Sequence, residues 1–171
     1  MAFNFCPNCA SPLADAIVNS ESRRACSANC GFVYYDNPTP VVAAIVEHDG
    51  LVVLARNKAW PRHWNFYGVI TGFLERVESP QECAIREVKE ELNLDVLSPP
   101  TLIGVYPFER MNQVIIAFHV QAAGIIRLNE ELDDFKEVPP EQIRVWPSGT
   151  GRALRDWLRG KGIEPEQLPP R

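Results

Sequence analysis

The stretch from Ser79 to Asn93 constrains the fold more than any other, because side-chain chemistry sets both of its ends. Ser79-Pro80-Gln81-Glu82 supplies an N-cap hydroxyl, a proline whose φ already suits the first helical position, and a glutamate able to reach back to the cap. Asn93 is second only to glycine in tolerating the left-handed conformation that closes a helix. The pattern predicts a helix over 80–92. At 100° per residue, Ala84, Ile85, Val88 and Leu92 form an apolar stripe for a sheet to cover, with Cys83 on the acidic side. Glu87, Glu90 and Glu91 form a second stripe at i, i+3 and i+4, where like charges repel. A face built for stability would interleave Lys or Arg; this one suits a hard cation, which prefers oxygen ligands. Arg86 can pair with Glu90, and Glu78 can support Arg86. A loop folded from Gly72 back over the helix N-terminus would add a backbone carbonyl to the same place.

Strand patterns surround this helix. Val41–Glu47 and Leu51–Arg56 read as a hairpin, since Asp49-Gly50 between them tolerates positive φ. Asn37-Pro38-Thr39-Pro40 reads as a stiff connection before it. Further strands are expected at Val69–Thr71, Leu102–Val105 and Val114–Gln121, with the acidic run Glu130–Glu137 as an exposed loop. A second amphipathic helix is expected from about Gly151 to Arg159, burying Ala153, Leu154, Trp157 and Leu158 and ending at Gly160. The proline-rich tail from Pro165 to Arg171 is expected to fray.

Four of the five cysteines stand as Cys6-x-x-Cys9 and Cys26-x-x-x-Cys30. Paired cysteines at such spacing point to four thiolates around a structural zinc, a closed shell that leaves no position for chemistry. The zinc would stabilise a segment too small to build its own core. No apolar run approaches the ~20 residues of a membrane span, and the first residues lack a secretory pattern, so a cytoplasmic chain is expected. A net charge of -5 argues against broad capture of nucleic acid. It leaves room for a nucleotide, because local cations or bound metal can overcome a weak overall field.

Gly72, five residues, Glu78, seven residues, Arg86-Glu87-Val88, one residue, Glu90-Glu91, one residue and Asn93-Leu94 together resemble the Nudix box. The departure is Asn93, where the family usually has glycine. Trp64-Asn65-Phe66-Tyr67-Gly68 and Thr71–Glu75 resemble the approach to that box. The resemblance implies an α/β fold, an α/β/α sandwich with a mixed sheet, preceded by a small zinc ribbon: residues 1–36 the ribbon, 37–160 the Nudix domain, 161–171 a tail. It implies magnesium (or manganese) held by Glu87, Glu90, Glu91 and the Gly72 carbonyl, with Arg86 completing the catalytic set. It also implies hydrolysis of the diphosphate bond in a nucleoside diphosphate derivative such as NADH, ADP-ribose or FAD. Glu87 is the first choice of general base, with Glu131, Asp134 and Glu109 as alternatives.

A zinc ribbon ahead of such a domain is similar to the NADH pyrophosphatase group. However, Tyr106-Pro107-Phe108-Glu109-Arg110 shares only Pro-Phe with that group's distinctive stretch, so the substrate stays open. Arg56, Tyr67 and Phe108 are the candidate substrate contacts. The competing readings are a hydrolase of NAD-capped RNA, which would want a basic ribbon where only Arg23 and Arg24 supply charge, and a Nudix-fold sensor without catalysis, which would not need the box carboxylates. By resemblance, a homodimer is expected.

Overall fold

The computed structural model describes residues 3–169 and divides into two compact units, Met1–Pro38 and Thr39–Arg171. The first unit is an antiparallel sheet of β1 (Leu13–Val18), β2 (Glu21–Cys26) and β3 (Val33–Tyr34). Asn19 and Ser20, both at positive φ, turn β1 tightly into β2. Its buried apolar cluster is Cys6, Leu13 and Cys26, with Phe32 and Tyr34 against it. So small a core contributes little stability by itself.

The second unit is organised by β4 (Thr39–His48) and β5 (Leu51–Asn57), joined through Asp49 (φ 49) and Gly50 (φ 79) as the hairpin signal predicts. The run Val41–Val46 is apolar throughout because both faces of β4 are covered. Val42, Ala44 and Val46 enter one core cluster, and Ala43 and Ile45 the other. Pro40, read in the sequence as linker, is the second residue of β4. It precedes Val41, where pairing with β6 (Ile70–Phe73) begins, so on that side no donor is missed.

Helix α1 (Pro80–Leu92) has the predicted bounds and caps. Glu82 N donates to Ser79 Oγ at 3.2 Å, Ser79 N donates to Glu82 Oε2 at 2.8 Å, and Asn93 closes the helix at φ 60. Its buried face is turned from the expected one. Cys83 is fully buried with Ala84, Val88 and Leu92, whereas Ile85 is 40% exposed. Ala84, Val88 and Leu92 can be completed by a neighbour on either side, and the sheet meets the helix on the 83 side. The row 83, 87, 91 is thereby drawn inward, which decides the electrostatics of the site.

After β7 (Asp95–Val96) and β8 (Thr101–Phe108), β9 (Gln113–Ala123) runs parallel to β4, in register from Thr39↔Gln113 to His48↔Ala122. The acidic run expected as a loop is instead β10 (Leu132–Val138), an edge strand paired with β5. Leu132 and Phe135 face the core on the α1 side, while Asp133 and Asp134 between them are met by Arg56. The main sheet reads β10-β5-β4-β9-β7, with β6 on β4 and β8 on β9.

Beyond it, β11 (Arg144–Val145) precedes α2 (Thr150–Gly160), which buries Ala153, Leu154, Trp157 and Leu158 on the opposite face from α1. A mixed sheet between two helices is the α/β/α arrangement expected. In the tail, β12 (Glu166–Gln167) pairs with β11, and Leu168 N donates to Val145 O at 2.7 Å. Residues 165–169 are therefore tied down in part rather than frayed; 170–171 lie outside the described residues. No helix among the described residues is long and apolar enough to cross a membrane.

Replacing Ser79 by Ala should cost about 1 kcal/mol of stability, read as a lower urea midpoint with unchanged slope. An unaltered midpoint would mean that the capping box contributes nothing.

Candidate active site and cysteine cluster

Between α1 and the end of β6 lies a cleft of about 460 Å3, lined on one side by Thr71, Gly72 and Phe73 and on the other by Arg86, Glu87, Glu90 and Glu91. The link between β9 and β10 adds Asn129 and Glu131, and the loop after β5 adds Trp60. Sequence reasoning brings together Gly72, Arg86, Glu87, Glu90, Glu91 and Glu131, and the fold places all of them on this one cleft.

Arg86 is the organiser. Its Nε and Nη2 donate to the two carboxylate oxygens of Glu78 at 2.7 and 3.1 Å. Nη1 donates to Glu87 Oε1 at 2.6 Å and Glu90 Oε2 at 3.0 Å, and Nη2 also donates to the Phe73 carbonyl at 3.1 Å. A planar fork suits several such bonds at once, which a lysine could not make. Arg86 first, then the Glu75 backbone, hold the Glu78 carboxyl down to about 2. Glu78 also turns the loop: Glu75 N donates to Glu78 Oε2 at 3.0 Å, and Val77 between them adopts φ 67 with its side chain 94% exposed. A β-branched residue in that region is strained.

Gly72 has a steric role beside its carbonyl. A Cβ there would meet Glu87 Oε1 at 1.8 Å, so only glycine lets β6 lie flat against the Glu87 carboxylate.

The inward turn of the 83, 87, 91 row raises the affinity of its acids for protons. Burial pushes the Glu87 carboxyl up, against the pull of Arg86. Glu91 is 7% exposed, and no Lys or Arg pairs with it among the described residues. Burial first, then the charges of Glu87, Glu131 and Glu90, push it up to about 8. A buried carboxyl ringed by other carboxylates and lacking a cation of its own is chemically suited to divalent metal. Cys83, next in the row, is pushed up to about 12 by burial and stays a neutral thiol.

The remaining predicted residues lie elsewhere. Arg56 Nε donates to Asp133 Oδ1 at 2.7 Å, and Tyr67 donates its hydroxyl proton to Asp134 Oδ2 at 2.5 Å, with Lys136 4.0 Å from the Tyr67 ring. Alternation along β5 puts Arg56 on the side of Val52 and Leu54, away from the carboxylates. Phe108 packs toward Gly149 on that same α2 side, and Glu109 faces Arg152 at 3.7 Å. None of these residues lines the acidic cleft. Trp60, Asn57 and Asn129 do line it and were not anticipated. The local signal for the asparagines was an Asx turn, a side chain bonding backbone two residues on.

In the first unit the sulfur atoms of Cys6, Cys9, Cys26 and Cys30 all lie within 4.8 Å of one another. Cys6 and Cys30 are 3.4 Å apart, as are Cys9 and Cys26. The four form one cluster capable of holding a single ion.

The NUDIX domain family model matches residues 37–158. Two similar curated proteins are NAD-capped RNA hydrolases NudC. The one from Stutzerimonas stutzeri (strain A1501) is 30% identical over 84% of this chain and 51% of its own length. The one from Vibrio atlanticus (strain LGP32) is 32% identical over 72% of this chain and 44% of its own. The chain thus spans about half the length of the curated relatives it matches. Among solved structures, a NUDIX hydrolase from Nitrosomonas europaea superposes with a TM-score of 0.75 at 21% identity, covering 99% of this chain and 100% of that one. An ADP-ribose pyrophosphatase from Streptococcus suis gives 0.58 at 15% identity, covering 77% and 100%. At these identities the two structures speak to fold alone.

The Glu91 shift predicts a pH dependence. Its folded value of about 8 exceeds the unfolded 4.5, so between those values the folded chain holds more protons than the unfolded one. In chelator-treated protein, stability should therefore fall as pH rises from 5 to 8, and Glu91→Gln should flatten that slope. Parallel slopes in denaturant titrations would contradict the burial argument.

Proposed function

The chain belongs to the NUDIX family, and from that premise we propose that it is a magnesium-dependent pyrophosphohydrolase cutting the diphosphate bond of a nucleoside diphosphate derivative. NADH, ADP-ribose and FAD represent the class. The observation that carries the proposal is Glu91, buried among Glu87, Glu90 and Glu131 without a cationic partner beside a cleft large enough for a nucleotide. Glu87, Glu90, Glu91 and the Gly72 carbonyl would hold the ion, and manganese would suit the same oxygen set. When bound, such an ion would neutralise charge at the phosphates and lower the pKa of water beside it.

The protein's own groups do the rest. Arg86 fixes the directions of Glu87 and Glu90 so that they need not reorganise during reaction. Glu87 is the general base, taking a proton from the attacking water; its raised proton affinity moves it toward the pH at which a base works best. Of the other candidates, Glu131 lines the cleft, whereas Asp134 is bound to Tyr67 and Glu109 faces Arg152. The intact set of box carboxylates supports catalysis over a sensor that only binds. The NudC relatives support a second reading, hydrolysis of the NAD cap on RNA.

The cysteine cluster supports a zinc ribbon, with zinc structural because four thiolates leave no open position. A cytoplasmic location belongs to the same proposal, since a reducing compartment keeps such thiols available for metal.

The deciding experiment supplies magnesium and offers NADH, ADP-ribose, FAD, nucleoside triphosphates and NAD-capped RNA in turn, with phosphorylated products as the readout. Turnover of a diphosphate-linked nucleotide is expected, and Glu87→Gln should lower kcat by about a hundredfold or more, near 3 kcal/mol. No product from any of these substrates would overturn the proposal. Purified protein should also carry one zinc per chain by mass spectrometry. Its removal should speed proteolysis within residues 3–38 before turnover falls; equal protease resistance without zinc would refute the ribbon.

A further inference from the structure

The cleft that holds the carboxylates also has lining that the hydrolytic chemistry does not use. Trp60 is part of that lining, and its indole packs on a second ring. The Phe66 ring lies 5.1 Å away at 51°, and Phe66 in turn meets Trp146 edge-on at 4.9 Å and 79°. Gly68 permits this seat, since a Cβ there would stand 3.2 Å from the Trp60 ring. A tryptophan packed on a ring that is itself packed on another loses little freedom when a ligand stacks on it, which makes it a pre-organised surface.

Two amides line the same cleft, and their orientation follows from local bonding. Asn57 Oδ1 accepts from Ala59 N at 2.8 Å, and Asn129 Oδ1 accepts from Glu131 N at 3.0 Å and Leu132 N at 3.3 Å. A backbone N–H can be met only by the amide oxygen. Each side chain therefore keeps its NH2 group for other partners, and both residues line the cleft. The cleft thus combines its acids with a flat ring and with amide hydrogen-bond donors.

We propose that Trp60 is the platform on which the planar base of the substrate stacks, with the Asn57 and Asn129 amide groups donating to acceptor atoms of the bound nucleotide. This inference rests on the pyrophosphohydrolase reading for the identity of the ligand. It adds that recognition depends on a flat heteroaromatic ring, so a diphosphate without a base is a poor ligand. Trp60 is a specificity residue here and takes no part in bond cleavage.

The test separates binding from turnover by using two probes that cannot be cut at the diphosphate, α,β-methylene-ADP and methylenediphosphonate, titrated calorimetrically with magnesium. Wild-type protein should bind the adenine-bearing probe more tightly. Stacking on an aromatic side chain is worth ~1–3 kcal/mol per base, so Trp60→Leu should weaken that probe by roughly 5- to 150-fold. Methylenediphosphonate should change by less than twofold, and Trp60→Phe should restore most of the lost affinity. Equal weakening of both probes, no weakening of either, or no wild-type preference for the base-bearing probe would each overturn the platform. Because these outcomes do not depend on catalysis, a protein that binds as expected yet hydrolyses nothing would refute the proposed function and leave the platform standing.

Discussion

The Arg86 guanidinium is the contact on which the acidic cleft depends. Glu78 lies just before α1 and Glu87, Glu90 and Glu91 on its second half, and without a shared cation their repulsion would spread them into solvent. Arg86 ties three of them to one plane and reaches back to the Phe73 carbonyl, joining helix, loop and β6 in a single network. Glu91 is left out of that network. The arrangement leaves Glu91 without a Lys or Arg partner among the described residues.

Much of this was legible in the residues alone, for identifiable reasons. The limits of α1 follow from chemistry confined to four residues at its start and to Asn93 at its close, and Asp49-Gly50 specifies its hairpin locally. The rotation of α1 was not legible. Cys83 and Ile85 flank the same apolar row, and hydrophobic periodicity cannot say which side the sheet will take. The identity of β10 was hidden for a related reason: charge suggested a loop, while the pairing that makes it a strand comes from β5, far away in the chain. Trp60 escaped notice because its importance lies in distant neighbours, Phe66 and Trp146, that no local pattern connects.

The two faces of the sheet have separate duties. The α1 face carries the acidic row, and the α2 face carries a satisfied polar cluster of Arg56, Tyr67, Asp133 and Asp134 that fastens the edge strand β10 to the sheet. Charged and aromatic residues near a cleft in sequence can thus serve the frame instead of the ligand. That is why family membership alone does not assign a substrate.

The parallel register of β4 with β9 has a bearing on how the chain reaches this state. Partners such as Val41 and Ile115 are separated by about 70 residues, and bringing such ends together costs about 4 kcal/mol of chain entropy before any contact repays it. During synthesis, the apolar run of β4 must wait for β9 to leave the ribosome. Meanwhile its hairpin with β5 and its pairing with β6 are the partners within reach. Folding should therefore be slow for a chain of this size, with the nascent sheet centre a natural client for chaperones.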